Sequence, residues 1–173
     1  MEDVWIVIGS KSDEKRISEL TQRLEEQRIS YRVSVFSAHR NLYELIKYVK
    51  GMKMVPEEYP KVIIAAAGMS AALPGVLASL LKAEMMPIPL IGLPLGSSDY
   101  PDGADARISI DRLPPGVREL VSLVSDTNNA AWGAIMMINH HSDEVEKIKD
   151  LMLSSKKRDS IPTLGRYGGE KDA

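Results

Sequence analysis

The sequence predicts an α/β fold, a three-layer doubly wound arrangement in which helices cover both faces of a parallel sheet. Short apolar runs rich in β-branched residues alternate along the chain with longer segments of helical periodicity. The first run, residues 4–8, carries no charged residue and ends at Gly9. Such a run is typical of a central parallel strand that is buried on both faces.

A helix and a second strand are predicted next. Ile17, Leu20 and Leu24 share one face of an amphipathic helix whose other positions are largely charged. Residues 29–36 then alternate apolar and polar side chains at the period of a half-buried strand. The segment 37–40, with the sequence Ser-Ala-His-Arg, follows at the carboxyl end of that strand.

The second helix is predicted over residues 41–50, where apolar residues keep helical spacing. Asn41 is its expected N-cap, with Glu44 as the partner in a capping box. Gly51 is placed to end this helix.

The remaining strands and helices continue the alternation. A third strand is predicted at residues 61–66, a third helix at 73–83 and a fourth strand at 88–93. The loop 94–103 is rich in Ser, Asp, Gly and Pro, and its length favours a functional role. Residues 117–124 are interpreted as a fifth strand, although their spacing also permits a helix. This order of strands and helices favours a flavodoxin-like or Rossmann-like sheet.

The carboxyl-terminal part is expected to serve subunit packing. A helix over residues 126–138 is apolar nearly all round, so it must be buried on every side, and a neighbouring subunit is a natural cover. A last helix is predicted around residues 145–152 and a polar tail at 156–173. Residues 1–155 are therefore expected to form a single α/β domain.

Composition narrows the possible functions. The chain has 173 residues, and its 22 basic and 24 acidic residues leave no positive excess for nucleic acid or a membrane surface. The absence of cysteine excludes disulfides, thiolate catalysis and cysteine-bound metal. The uncharged stretch 62–81 has the length of a membrane span, but Gly68 and Pro74 interrupt it, so we interpret it as strand, turn and buried helix. The first residues lack the pattern of a signal peptide, and a cytoplasmic protein is expected.

Three predicted loops lie at the carboxyl ends of successive strands, at residues 9–13, 37–40 and 67–73. Because the carboxyl ends of parallel strands share one edge of a sheet, these loops are expected to line one pocket. Taken singly, each loop has an ordinary structural interpretation, such as a helix cap, a turn or a solvated charge. Their convergence is what indicates a ligand site.

The side chains on these loops predict a site for an anionic ligand with proton chemistry. The serine-rich loop 9–13 opens a helix, whose free N–H groups favour a phosphate. Asp13 could accept hydrogen bonds from sugar hydroxyls, and Arg40 could hold a phosphate or carboxylate in a fork. His39 is the group on these loops that can move a proton near neutral pH.

These motifs resemble those of the carboxyaminoimidazole ribonucleotide family of purine biosynthesis. The resemblance is carried by residues 9–13, residues 37–40 and the alanine-rich segment 65–75, and it spans roughly residues 4 to 138. Members of this family form 4-carboxy-5-aminoimidazole ribonucleotide. Class I mutases start from the N5-carboxylated nucleotide, and class II carboxylases start from aminoimidazole ribonucleotide and carbon dioxide.

The resemblance implies roles for eleven residues. His39 would be the general acid/base that moves the proton at C4 of the imidazole. It further implies a homo-octamer, a ribonucleotide and carbon dioxide as the small-molecule partners, and neither a metal nor an organic cofactor. The residues implied to bind substrate are Ser10, Ser12, Asp13, Ser37, Ala38, Arg40, Ala67, Gly68, Ser70 and Leu73.

The sequence mixes the signatures of the two classes. Class I members usually have histidine where this chain has Ala72, whereas Arg40 is the class I residue and Ser70 the class II residue. Formation of the carboxylated nucleotide by a mutase is the first expectation, and direct carboxylation is the alternative. A related carboxylase or decarboxylase for another heterocycle, or a catalytically silent nucleotide-binding subunit, remain further alternatives.

Overall fold

Five parallel strands form one sheet in the computed structural model, which describes residues 2–139. From edge to edge their order is β2-β1-β3-β4-β5. After β2 the chain crosses to the other side of β1, which is the strand order of flavodoxin-like folds. The predicted fold class is thereby confirmed. The strands are β1 (Val4–Ile8), β2 (Tyr31–Val35), β3 (Val62–Gly68), β4 (Leu90–Leu95) and β5 (Val121–Leu123).

Helices cover both faces of this sheet. On one face α1 and α5 enclose a core with Val4, Ile6 and Ile8, and on the other α2, α3 and α4 enclose a core with Trp5 and Val7. No helix within residues 2–139 has both the length and the apolar character needed to cross a bilayer. The α-helices are α1 (Ser18–Glu26), α2 (Leu42–Lys53), α3 (Ala72–Ala83), α4 (Ala104–Asp111) and α5 (Thr127–Asn139), and shorter 3-10 helices cover Lys11–Ile17, Pro56–Glu58 and Arg118–Leu120.

The register of the strands brings their carboxyl ends to one level. Ile8 at the end of β1 lies opposite Val35 of β2 and Ala66 of β3. Gly68 at the end of β3 lies opposite Leu95 of β4. The loops that follow these strands therefore emerge along one edge, as the parallel pairing predicted.

The start and the end of α2 differ from the prediction. Asn41 makes no side-chain cap at this helix. Its Oδ1 instead accepts a hydrogen bond from the backbone N–H of Ser37, at 2.6 Å. The predicted capping box with Glu44 is therefore wrong, because the Asn41 side chain is already engaged by the preceding turn. Gly51 lies inside the helix, which continues to Lys53.

The segment between β4 and α5 contains structure that periodicity did not reveal. Helix α4 was not predicted, and only Ala106 and Ile110 on it are fully buried. With so few core-facing residues, its apolar pattern is too short to recognise. Residues 117–124 combine a 3-10 turn at Arg118–Leu120 with the three-residue strand β5, so the predicted strand is confirmed in its second half only.

Within residues 2–139, helix α5 is buried on one side and exposed on the other. Ala130, Ala134 and Ile138 are buried against the sheet, whereas Trp132 is 41% exposed and Met136 is 71% exposed. The expected burial on every side is thus not met by the described residues 2–139 alone. The predicted helix around 145–152 and the tail 156–173 lie outside the described residues.

Candidate active site

A cavity of about 580 Å³ opens at the carboxyl ends of β1 to β4. It lies beside the β1–β3 pair, where the chain reverses its direction of crossing and where open α/β sheets bind their ligands. The fold brings all eleven residues predicted from the sequence to this one cavity. They are Ser10, Ser12, Asp13, Ser37, Ala38, His39, Arg40, Ala67, Gly68, Ser70 and Leu73.

The loop after β1 presents two serine hydroxyls to the cavity. Ser10 caps the 3-10 helix that begins at Lys11, and its Oγ accepts from the Ser12 backbone N–H at 3.4 Å. The Ser12 hydroxyl also donates to Ser10 Oγ, at 2.9 Å. A helix does begin here, as predicted, but its first turns are 3-10 and the α-helix starts only at Ser18.

Asp13 is 7% exposed, and it is the buried charged residue among the side chains that the structure describes. Burial raises the pKa of its carboxyl, while the nearby guanidinium groups of Arg16 and Arg40 and a hydrogen bond from the Ser10 backbone oppose that rise. The Arg16 Nη1 lies 3.8 Å from Asp13 Oδ1. A buried carboxylate of this kind is available to accept hydrogen bonds from a ligand in the cavity.

The loop after β2 holds the imidazole and a second guanidinium. The Ser37 Oγ accepts from the His39 backbone N–H at 3.4 Å, within the turn that Asn41 closes. His39 itself is exposed at the cavity wall. Arg40 donates from Nη2 to the Gly9 carbonyl oxygen at 3.2 Å, which ties this loop to the loop after β1. The other guanidinium N–H groups of Arg40 remain able to bind an anion.

The end of β3, the loop after it and the start of α3 form the apolar wall. Ala67 and Leu73 are buried. The strands β3 and β4 approach closely at Gly68, where an added Cβ would lie 3.1 Å from the Leu95 carbonyl oxygen. This position therefore favours glycine, which has no Cβ. Ser70 is exposed, and Met69, also at the cavity, has a left-handed backbone with φ of 56°.

The loop after β4 completes the cavity with Ser97 and Ser98. Ser97 Oγ donates to Asp105 Oδ2 at 2.9 Å and accepts from the Tyr100 backbone N–H at 3.1 Å. The predicted functional loop 94–103 is therefore a wall of the site, held in a defined turn.

Arg16 is the cavity residue that lies outside every loop singled out from the sequence. It lines the cavity and donates through Nη1 to the carbonyl oxygen of Gly96. The available signal was its spacing, since Asp13 and Arg16 lie three residues apart on a helix and therefore on one face. Its contact with Gly96, 80 residues away, left no such signal.

The site therefore combines an exposed imidazole, two guanidinium groups, serine hydroxyls and an apolar wall. Within residues 2–139 no group of three or more His, Asp or Glu side chains is placed to hold a metal ion. The residues present can bind an anionic small molecule and transfer a proton to or from it.

The fold and the position of the cavity define a flavodoxin-like α/β protein with a small-molecule site at the switch point of its sheet. Residues 3–158 match the sequence model of the AIR carboxylase family. The chain belongs to this family, and the family predicted from the three loop motifs is confirmed.

Relatives of both functional classes resemble the chain. An N5-carboxyaminoimidazole ribonucleotide mutase from Pyrococcus abyssi is 36% identical over 150 residues, covering 86% of this chain and 81% of that protein. A phosphoribosylaminoimidazole carboxylase from Candida glabrata is 34% identical over 150 residues, covering 86% of this chain. This chain spans only 25% of the length of that carboxylase. The names of both relatives agree with the enzyme activities predicted from the sequence.

A solved structure shares the fold over nearly the whole chain. The crystal structure of Treponema denticola PurE superposes with a TM-score of 0.66 at 25% identity. The match covers 89% of this chain and 91% of that one.

Proposed function

We propose that this chain forms 4-carboxy-5-aminoimidazole ribonucleotide in purine biosynthesis, by moving carbon dioxide from N5 to C4 of the N5-carboxylated nucleotide. The observation that carries the proposal is the convergence of His39, Arg40 and the two serines of the first loop on one cavity in a chain of this family. The similarity to a mutase along 81% of that relative's length favours the mutase reaction over direct carboxylation.

The polar side of the cavity is assigned to the ribose phosphate. Ser10 and Ser37 offer hydroxyl donors, beside the Ser12 hydroxyl that donates to Ser10. Arg40 offers a guanidinium held in place by its hydrogen bond to Gly9. Charge-assisted hydrogen bonds from a guanidinium to phosphate are among the strongest that a protein makes. Asp13 would accept hydrogen bonds from the ribose hydroxyls.

The apolar side of the cavity is assigned to the imidazole and to carbon dioxide. Ala67 and Leu73 supply a buried apolar wall, with Ala38, Gly68 and Ser70 around it. In the reaction the N5–carboxylate bond breaks to give carbon dioxide, and C4 then attacks that molecule to form a new carbon–carbon bond. Confinement by the apolar wall keeps the carbon dioxide near C4 rather than in water.

His39 is assigned the proton transfer. Once C4 carries the carboxylate, its hydrogen must leave for the ring to become aromatic again, and the exposed imidazole of His39 can accept it. The overall isomerisation places one proton on N5, so the proton removed from C4 balances the one gained there. The overall reaction therefore needs no further proton donor or acceptor.

A homo-octamer in the cytoplasm is part of the same proposal. The half-exposed Trp132 and the exposed Met136 on α5 support a second copy of the chain as the cover of this helix.

Rates with the two carboxyl donors test the proposed function. Purified protein is given either the N5-carboxylated nucleotide or aminoimidazole ribonucleotide with bicarbonate, and the 4-carboxylated product is quantified by chromatography against a blank without enzyme. Faster product formation from the N5-carboxylated nucleotide is expected. The reverse preference would establish the carboxylase reaction instead. Binding of the nucleotide without turnover would identify a silent subunit, and failure to bind it in calorimetry would indicate another heterocycle.

A further inference from the structure

Three non-glycine residues within residues 2–139 have a positive φ, namely Arg28, Met69 and Met85, at 57°, 56° and 57°. Two of them have an ordinary local cause. Arg28 follows the end of α1 and donates its N–H to the Glu25 carbonyl at 2.9 Å, and Met85 follows the end of α3 and donates to the Lys82 carbonyl at 3.0 Å. These contacts belong to the left-handed turn that commonly ends a helix.

Met69 has no such cause, because it follows strand β3 directly. Its left-handed backbone is sterically unfavourable for a side chain that carries a Cβ, whereas glycine adopts it freely. The side chain gives no core packing in return, since it is 66% exposed. A backbone outlier of this kind at a ligand cavity points to a functional reason for the side chain.

The position of Met69 indicates what that reason is. It lies at the cavity, in the loop that joins the buried apolar residue Ala67 at the end of β3 to Leu73 at the start of α3, and this is the end assigned above to the imidazole. Methionine is flexible and polarisable, and its thioether packs well against the faces and edges of planar rings. An exposed methionine at the mouth of a cavity can fold onto a bound ring and exclude water.

We propose that Met69 covers the imidazole end of the cavity once the nucleotide is bound and thereby retains carbon dioxide during its transfer. The inference rests on the proposed function and adds to it a substrate-covering residue. A role in covering the substrate explains why a residue with a side chain is present at Met69, although its backbone conformation favours glycine.

Met69→Gly and Met69→Leu test this role through the fate of carbon dioxide. Glycine removes the cover and relieves the backbone, whereas leucine keeps an apolar cover of similar size. With the N5-carboxylated nucleotide, the ratio of released aminoimidazole ribonucleotide to 4-carboxylated product should rise by about tenfold in Met69→Gly and stay within about twofold in Met69→Leu. If the wild type uses free carbon dioxide instead, the half-saturating concentration of carbon dioxide should rise by about tenfold in Met69→Gly. It should stay within about twofold of the wild type in Met69→Leu.

Thermal unfolding separates this role from a structural one. Met69→Gly should have the Tm of the wild type or a higher one, because the strained position is relieved. The inference would be overturned by a lower Tm of Met69→Gly or by an unchanged release ratio in that variant. An equal rise of the ratio in Met69→Gly and Met69→Leu would also overturn it. A wild type that forms no product from either donor would refute the proposed function itself, which is a different result.

Oxidation of Met69 gives a second readout that needs no turnover. Dilute hydrogen peroxide converts exposed methionines to sulfoxides, which peptide mass spectrometry quantifies site by site. Saturating aminoimidazole ribonucleotide should slow the oxidation of Met69 and leave Met54, which is 79% exposed and lies outside the cavity, unchanged. Equal oxidation of Met69 with and without the nucleotide would contradict the proposed cover.

Discussion

The Asp13 carboxylate lies 3.8 Å from the guanidinium of Arg16 at the floor of the cavity. Arg16 also donates to the Gly96 carbonyl oxygen, so one side chain connects the loop after β1 with the loop after β4. Asp13 is nearly buried, whereas the Arg16 side chain is 46% exposed. The pair therefore adjusts the charge of the site more than it stabilises the fold.

Arg16→Met is expected to raise the pKa of Asp13 further. Burial already raises that pKa, and Arg16 is the largest influence that opposes the rise. A carboxyl-carbon NMR titration of Asp13 measures the change, with Arg16→Lys as the charge-preserving control. An unchanged Asp13 pKa in Arg16→Met would contradict the prediction.

The same shift has a consequence for stability against pH. Because the pKa of Asp13 is higher in the folded protein than the ordinary value of 3.8, the folded state binds more protons in the window above that value. The contribution of Asp13 to the free energy of unfolding should therefore fall as the pH rises through the window. Asp13→Asn should remove this part of the pH dependence of the free energy of unfolding, as measured by urea denaturation at a series of pH values. Arg16→Met should extend the pH range over which the dependence is seen, because it raises the pKa of folded Asp13 further.

His39→Asn is expected to lower kcat by about 10²–10⁴-fold while nucleotide affinity is retained. Asparagine keeps polarity and approximate size but cannot transfer the proton. The His39 backbone contact to Ser37 is preserved, so the turn should remain intact. Product formation gives kcat, and calorimetry gives the Kd. Turnover at the wild-type rate would show that another group moves the C4 proton.

Arg40→Met is expected to weaken binding of the phosphorylated substrate specifically. Loss of a hydrogen bond to a charged group costs about 1.5–3 kcal/mol, or roughly one to two powers of ten in Kd. The corresponding nucleoside, which lacks the phosphate, should bind the wild type and the variant equally. Equal losses for nucleotide and nucleoside would show that Arg40 acts through its 3.2 Å hydrogen bond to Gly9 and not through the phosphate.

Gly96→Ala is expected to disturb the β4 loop and reduce both stability and activity. A Cβ at this position would overlap the carbonyl oxygen of Pro101, a backbone atom that cannot turn aside. The matched control is Gly51→Ala inside α2, where nothing lies within 4 Å of the added Cβ. In that control the free energy of unfolding should increase by about 0.5–1 kcal/mol, because alanine is more favourable than glycine inside a helix. Denaturant unfolding and the product assay check both variants, and a Gly96→Ala protein as stable as the wild type would refute the clash.

Trp132→Glu combined with Met136→Glu is expected to reduce the mass of the assembly in sedimentation experiments. A carboxylate on each exposed apolar position would have to be buried at the proposed interface, at a considerable free-energy cost. Met54→Glu, at a 79% exposed position on another part of the surface, serves as the control. An unchanged mass would place the subunit interface elsewhere.

Much of the site followed from local pattern alone. The uninterrupted apolar run of β1 marks a central strand, and parallel strands place their carboxyl ends along one edge. From these two facts the grouping of Asp13, His39 and Arg40 at one cavity was predictable without coordinates. Residue type and period are local properties, which is why the sequence reveals the strand and the loop that follows it.

Contacts between distant parts of the chain required the folded structure. The Asn41 amide group could cap its helix or close the preceding turn, and the path of residues 37–41 settled this in favour of the turn. The bond from Arg16 to Gly96 spans 80 residues, and the left-handed backbone of Met69 has no signature in residue type. Sequence periodicity indicates the type of each element and the face it can bury, whereas side-chain pairing and backbone strain arise only when separate strands and loops pack together.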